Sequence, residues 1–285
     1  MRVVFSILLG SLFCLSGHAQ ESVEEKLIFF SDVMVNAQEP VNRSYALTQF
    51  EMAFEEYLQS QNLDSLDLSF LKWVSTLQPE DKSFTLISWQ AELSDFEYAY
   101  GGYIINKGVL NRLNYSPQPM HQLDAMFVEP SSWYGALYYN ILQLSENKYT
   151  IFGFNGSGKW INTKIADVLT LQSDGSITLG DAIYEDKESP TTFLDRLVFQ
   201  YSSDASFNLN YNPGLKLIIN DHLIQRIGRL EGQGPVYLPD GSYEGYEMKE
   251  GKWYYVEKIY DHTYDDAPRP KPVLDKTDKN IFGKN

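Results

Sequence analysis

KYTIFGFNGSGKWINTKIADVLTL, residues 148–171, sets two runs of alternating and β-branched apolar residues on either side of a glycine-rich turn. Such runs have the two-residue period of a strand, and Gly and Asn supply the positive-φ positions that a hairpin loop needs. The turn, residues 153–160, also comes within one position of the phosphate-binding pattern G-x-x-x-x-G-K-[ST]. That pattern works where a strand enters the loop and a helix leaves it, with a Ser or Thr at its last position to hold magnesium. Trp160 stands there instead, and INTKIADVLTL reads as a second strand. The stretch is therefore a hairpin in which Lys159 is incidental, and no nucleotide or other cofactor is expected.

The same period extends outward. SFTLISW, FEYAYGGYII and GALYYNILQL precede the hairpin, and SITLGDAIY, RLVFQY, SFNLNY, LKLIIN, EGYEM and KWYYVEKI follow it. Their separators, among them SENK, QSDG, SSDA, NPG, PDG and KEG, are turn material. Links this short cannot be parallel crossovers, which take about a dozen residues. The expected fold is α+β and mainly antiparallel β: N-terminal helices, then a meander of about ten or more strands that must close, curl or split. A barrel, a sandwich and a propeller-like array all satisfy this, although no repeat of fixed period is visible to favour the propeller.

Before residue 81 the period is helical. Leu47, Phe50, Phe54, Tyr57 and Leu58 make one stripe of a helix over residues 42–59. VEEKLIFFSDVMVNA reads as an earlier helix ended by Pro40, and Asp67 as the cap of a short third helix that turns Leu68, Leu71 and Val74 inward until Pro79. The chain opens MRVVFSILLGSLFCLSGHAQE, in which Arg2, an apolar run and the small residues Gly17 and Ala19 have the order of a secretory signal peptide. The organisation expected is a signal peptide at 1–20, a helical region at 21–80, an antiparallel β region at 81–259 packed with it as one domain, and an extended or disordered tail at 260–285, where Pro268, Pro270 and Pro272 fall. Export to the periplasm or beyond the cell follows from the leader.

Cys14 is the only cysteine and lies inside that leader, so the exported chain must rely on an ordinary core and not on disulfides. The formal charge is −15, and loss of Arg2 takes it to −16. A surface of that sign repels polyphosphates, which makes nucleic acid and anionic lipid headgroups poor partners. No later apolar run approaches the ~20 residues of a membrane-spanning helix.

WYGALYYNI, KYTIFGFNGSGKW, INDHL and SYEGYEMKEGKWYYV together resemble a family of uncharacterised exported bacterial proteins with no assigned activity. The likeness covers the second half of the chain well and the first half loosely. Members tend to carry Trp-Asp-Gly-Asn in the loop where Phe154, Asn155, Gly156 and Ser157 stand, and Phe-Asp-His-Leu where Asn220, Asp221, His222 and Leu223 stand. The resemblance implies export and supplies no activity.

The residues themselves narrow the chemistry. There is no G-x-S-x-G, no cysteine outside the leader, and no HExxH or paired-histidine spacing, so neither a nucleophile nor a metal set is assigned. Asp221 and His222 form the most suggestive polar pair, because a carboxylate can orient an imidazole for proton transfer. Strand neighbours point to opposite faces, however, so adjacency does not make them partners. Trp133, Tyr134 and Trp160 are aromatic groups able to stack on a sugar ring or anchor a protein, and Asn155 opens the glycine loop that Trp160 ends. The candidate ligand contacts are therefore Trp133, Tyr134, Asn155, Trp160, Asp221 and His222. The function expected is an exported, soluble, non-catalytic binding or envelope-associated module, with a glycan or an envelope protein as partner. The alternative is a carboxylate-dependent hydrolase acting, for example, on glycans, since its two acids can come from anywhere in the chain.

Overall fold

A computed structural model of the protein describes residues 22–228 and 232–259, so the leader read at 1–20 and the tail read at 260–285 lie outside the described residues. The chain divides into two compact units, residues 1–73 and 74–285.

In the first unit α1 (Val23–Asn36) starts at a capping box. The Glu25 amide donates to Ser22 Oγ at 3.1 Å and the Ser22 amide to the Glu25 carboxylate at 2.8 Å, so two amides that lack helical acceptors are satisfied. α2 (Pro40–Ser60) opens on Pro40, in the first turn, where a missing N–H costs nothing. Its stripe is buried as the spacing predicts, and Phe50 stacks on Phe54 with ring centres 5.3 Å apart. The third helix does not form. Asp67 accepts from the Ser69 amide at 2.9 Å, which closes a turn, and Leu71 N donates to Leu68 O at 2.9 Å without a helix following. Leu68, Leu71 and Val74 are nonetheless buried. Val74 and Thr76, the β-branched residues on either side of Ser75, favour the extended conformation that follows.

The second unit is all strand and turn. β1 (Ser75–Leu77), β2 (Phe84–Ser94), β3 (Glu97–Asn106) and β4 (Val109–Leu113) make an antiparallel meander of four. β5 (Leu137–Gln143), β6 (Lys148–Asn155) and β7 (Ile161–Leu171) begin a second sheet, with β8 (Ile177–Leu179) beside β7. β9 (Tyr184–Asp186) and β10 (Ser189–Leu194) form a hairpin, and β11 (Arg196–Ser202) returns to pair with β7. β12 (Leu209–Asn212), β13 (Leu217–Ile227), β14 (Pro235–Lys249) and β15 (Lys252–Val256) extend the third sheet, ordered β10-β9-β15-β14-β13-β12. Of closing, curling and splitting, the strands split, into three sheets.

The meander is broken in two places. β11 leaves its sequence neighbours for β7, and β15 meets β9 in parallel, with Trp253 N donating to Ile183 O at 2.7 Å. Two stretches also fold differently from their sequence reading. SITLGDAIY is two strands in different sheets, because the chain turns at Gly180, whose φ of +96° a side chain would strain. PDG is not a link between strands but a bulge inside β14: Asp221 pairs with Tyr243 and Leu223 with Pro239, which leaves His222 opposite residues 240–242.

The second sheet is central. Tyr149, Ile151, Ile165 and Leu169 join one apolar cluster with Phe84, Leu86 and Ile104 of the first sheet. Their strand neighbours Phe152, Ala166 and Val168 join another with Tyr184, Ile218 and Trp253 of the third. Burial on both faces explains why apolar residues occupy successive positions at Ile151–Phe152 and Val168–Leu169 within these strands.

One ion pair is set into this interior. Asp167 and Arg196 are cross-strand partners, both fully buried, with Nε 3.1 Å from the carboxylate. The carboxylate also accepts from Tyr134 Oη at 2.9 Å and from the Val168 amide at 2.7 Å. Arg196 Nη1 donates to the carbonyls of Leu123 and Met126. A buried pair adds little net stability, but stranding one member leaves an uncompensated charge. Asp167→Ala should therefore lower the urea unfolding free energy by about 3–5 kcal/mol, with Asp167→Leu combined with Arg196→Met recovering most of the loss.

Candidate functional site

The structure scatters the six candidate contacts. Trp133 and Tyr134, candidate ligand contacts by sequence, are fully buried: Trp133 Nε1 donates to Tyr138 Oη at 2.9 Å, and Tyr134 Oη donates to Asp167 at 2.9 Å. The reason is position, since they precede β5 and pack in the cluster between the first and second sheets. Asn155 is buried as well, its Nδ2 donating to Gly135 O at 2.8 Å and its Oδ1 accepting from Ser157 N at 2.9 Å. Gly156 N donates to Tyr100 Oη at 2.9 Å. The loop's amides thus turn inward to the chain, and β7 follows it where a phosphate loop would have a helix. Trp160 alone of the aromatics stays partly exposed, with Lys159 Nζ 4.6 Å above its ring.

Asp221 and His222 do not meet. The Asp221 carboxylate accepts from the Asn208 amide, and burial pushes it above the usual carboxylate range, against that hydrogen bond and nearby Lys164. His222 Nδ1 lies 2.9 Å from Asp240 across the bulge. Asp240 also accepts from the Ser242 amide at 2.9 Å and the Ser242 hydroxyl at 2.7 Å. As strand geometry requires, the two sequence neighbours part, and the pair that forms is made across strands.

A different place gathers polar groups. β11 ends its sheet, so one of its edges is unpaired, and over it opens a cavity of about 350 Å³. That is near the lower end of the ~300–1,000 Å³ of small-molecule sites. Leu197 of β11 and Tyr246 of β14 are its buried members, with Leu194, Phe199 and Leu223 beside them. Towards solvent stand His121, Asp124, Asp186, Lys187, Glu188, Gln200 and Tyr237.

Local structure holds this wall. Asp124 sits in the 3-10 turn Met120–Ala125, whose flanking carbonyls at 123 and 126 are gripped by Arg196, while Asp195 N donates to Asp124 O at 2.7 Å. Asp186 and Glu188 come from the tight turn between β9 and β10, where Glu188 N donates to Asp186 Oδ1 at 2.9 Å. Lys187 reaches Glu244 at 3.4 Å. Glu244 is buried and also accepts from Asn220 Nδ2 at 3.0 Å and Tyr255 Oη at 2.7 Å. Among the described residues no three His, Cys, Asp or Glu side chains are placed to share one metal ion. The cavity offers carboxylates, a phenol and aromatic rings, the equipment for grasping a small polar ligand.

Sequence reasoning missed Asp124, Asp186, Glu188 and Tyr246. The acidic turn EDKESP, ending at Pro190, is the one local signal of Asp186 and Glu188; Asp124 and Tyr246 have none. β10 takes that proline as an edge strand does. Comparison with protein-family models, curated proteins and solved structures gives no match to the chain.

The bulge carries a prediction in pH. Partial burial pushes Asp240 up, but the Ser242 and His222 hydrogen bonds outweigh it and bring it down to about 2. A lowered folded-state value means that these contacts stabilise the bulge above the ordinary aspartate range and are lost as pH falls through about 2. Carboxyl-carbon NMR titration should place Asp240 there, and Ser242→Ala should move it back toward the ordinary value.

Proposed function

We propose that the protein is an exported, non-catalytic binding module that takes a glycan in the cavity over β11. The observation that carries this reading is the cavity itself: a buried apolar floor of Leu197 and Tyr246 under a polar, partly aromatic mouth. Sugars match such a lining, since their C–H faces pack on rings while their hydroxyls hydrogen-bond to carboxylates and amides. Export rests on the leader at 1–20 and agrees with the exported bacterial family that the chain resembles. The acidic character of the chain fits a neutral or cationic ligand better than a polyanion.

A second reading has its own support. Asp124, Asp186 and Glu188 line the same cavity, and two carboxylates at a suitable separation are sufficient for glycoside hydrolysis.

A glycan array separates these readings. The protein should retain a subset of glycans, and Gln200→Trp, which fills the mouth, should abolish retention while the circular dichroism spectrum stays unchanged. A blank array, or retention that survives Gln200→Trp, would refute binding in this cavity. Release of reducing ends from the retained glycans, abolished by Asp186→Asn, would instead establish the hydrolase.

A further inference from the structure

We propose that the cavity over β11 recognises a sugar through a free amino group, that is, a hexosamine unit without its N-acetyl group; this rests on the reading of the cavity as the glycan site.

Tyr246 gives the first indication. It is only 3% exposed and lines the cavity, and its hydroxyl makes no hydrogen bond among the described residues. The hydroxyl is not sealed in the interior but open to the cavity, where it is free to donate to whatever enters. The cavity is where a partner can reach it, and a sugar oxygen placed there supplies one. Burial, with Glu244 nearby, holds this phenol well above its ordinary range, so it remains a donor at every physiological pH.

Charge gives the second, independent indication. Asp124, Asp186 and Glu188 all line the cavity, and none is in a salt bridge among the described residues. The basic residues of the lining are Lys187, drawn to buried Glu244, and the exposed His121, whose Nε2 lies 3.3 Å from the Gln122 amide nitrogen. The three carboxylates outnumber them and are answered by neither in a salt bridge among the described residues. A neutral sugar would leave that charge unanswered, whereas an ammonium group answers it with charge-assisted hydrogen bonds, roughly twice as strong as neutral ones. A single metal ion does not fit, because the acids are not grouped to ligate one.

The rings define the rest of the ligand. Phe199 and Tyr237 line the cavity, and Tyr237 is 44% exposed, so its face is open to solvent. Aromatic faces pack against the C–H face of a pyranose and also attract an adjacent ammonium. A linear diamine would use the carboxylates but neither the rings nor the buried phenol. The ligand that uses all three carries a ring, an oxygen and an ammonium together.

Isothermal titration calorimetry on the full chain tests this with a β-1,4-linked glucosamine disaccharide, its di-N-acetylated form and putrescine. The glucosamine disaccharide should bind, N-acetylation should weaken it at least tenfold, and putrescine should bind at least tenfold more weakly. Asp186→Asn should cost about tenfold and Tyr246→Phe about threefold in affinity, with the unfolding temperature of Asp186→Asn unchanged. Equal binding of the N-acetylated form would overturn recognition of the amine, and equal binding of putrescine would overturn recognition of the sugar. Silence from all three probes, or indifference to Asp186→Asn, would overturn the assignment outright. Retention of other glycans on the array, lost in Gln200→Trp, would then leave the cavity reading standing and only the amino-sugar class refuted.

Discussion

The ion pair between Asp167 and Arg196 organises more of the second unit than any other contact. It fixes the register of β11 on β7, since the two residues face each other across the strands. Its guanidinium then reaches out of the sheet to the carbonyls of Leu123 and Met126 and so holds the turn that carries Asp124. Gly180, where the chain crosses from the central sheet toward the third, passes so near that a Cβ would lie 2.8 Å from Arg196 Nη2. Desolvating two charges in an apolar layer is unfavourable, and Tyr134, the Val168 amide and two carbonyls offset part of the penalty, although Arg196 Nη2 is buried without a hydrogen-bond partner. Specificity of arrangement is the return: one register and one path satisfy all of those partners together.

The position of the cavity follows from the layering. A sheet buried on both faces has no open face to offer a ligand, so access to it is confined to its ends and edges. β5 and β11 are those edges. Edge strands expose unpaired backbone groups and are normally covered. β11 is covered in part by the 3-10 turn at Met120–Ala125, and the cavity opens beside that cover, between it and the third sheet.

What the sequence could disclose was what is local. The α2 stripe and the alternation of β2, β3, β6 and β7 depend on spacing within one element, and these emerge as expected. Asp67, Leu68, Leu71 and Val74 imitate a helix in spacing, but from Ser75 the chain is extended, a conformation that β-branched Val74 and Thr76 favour. Trp133 and Tyr134 carry no local mark of burial, because only the packing of the first sheet on the second encloses them. The site is harder still. Asp124, Asp186, Phe199 and Tyr246 come from four separate segments, and no periodicity or motif connects them. His222 found its carboxylate at Asp240 and not at Asp221, because strand geometry sends sequence neighbours apart and bulges bring distant residues together.

The parallel meeting of β9 with β15 also bears on how the protein is made. The hairpin that supplies Asp186 and Glu188 is anchored to the sheet through the last described strand, by Trp253 on Ile183. Contacts between such distant parts of a chain form slowly, because loop closure must precede any gain from pairing. The wall of the cavity that carries Asp186 and Glu188 is therefore assembled only once β15 is in place.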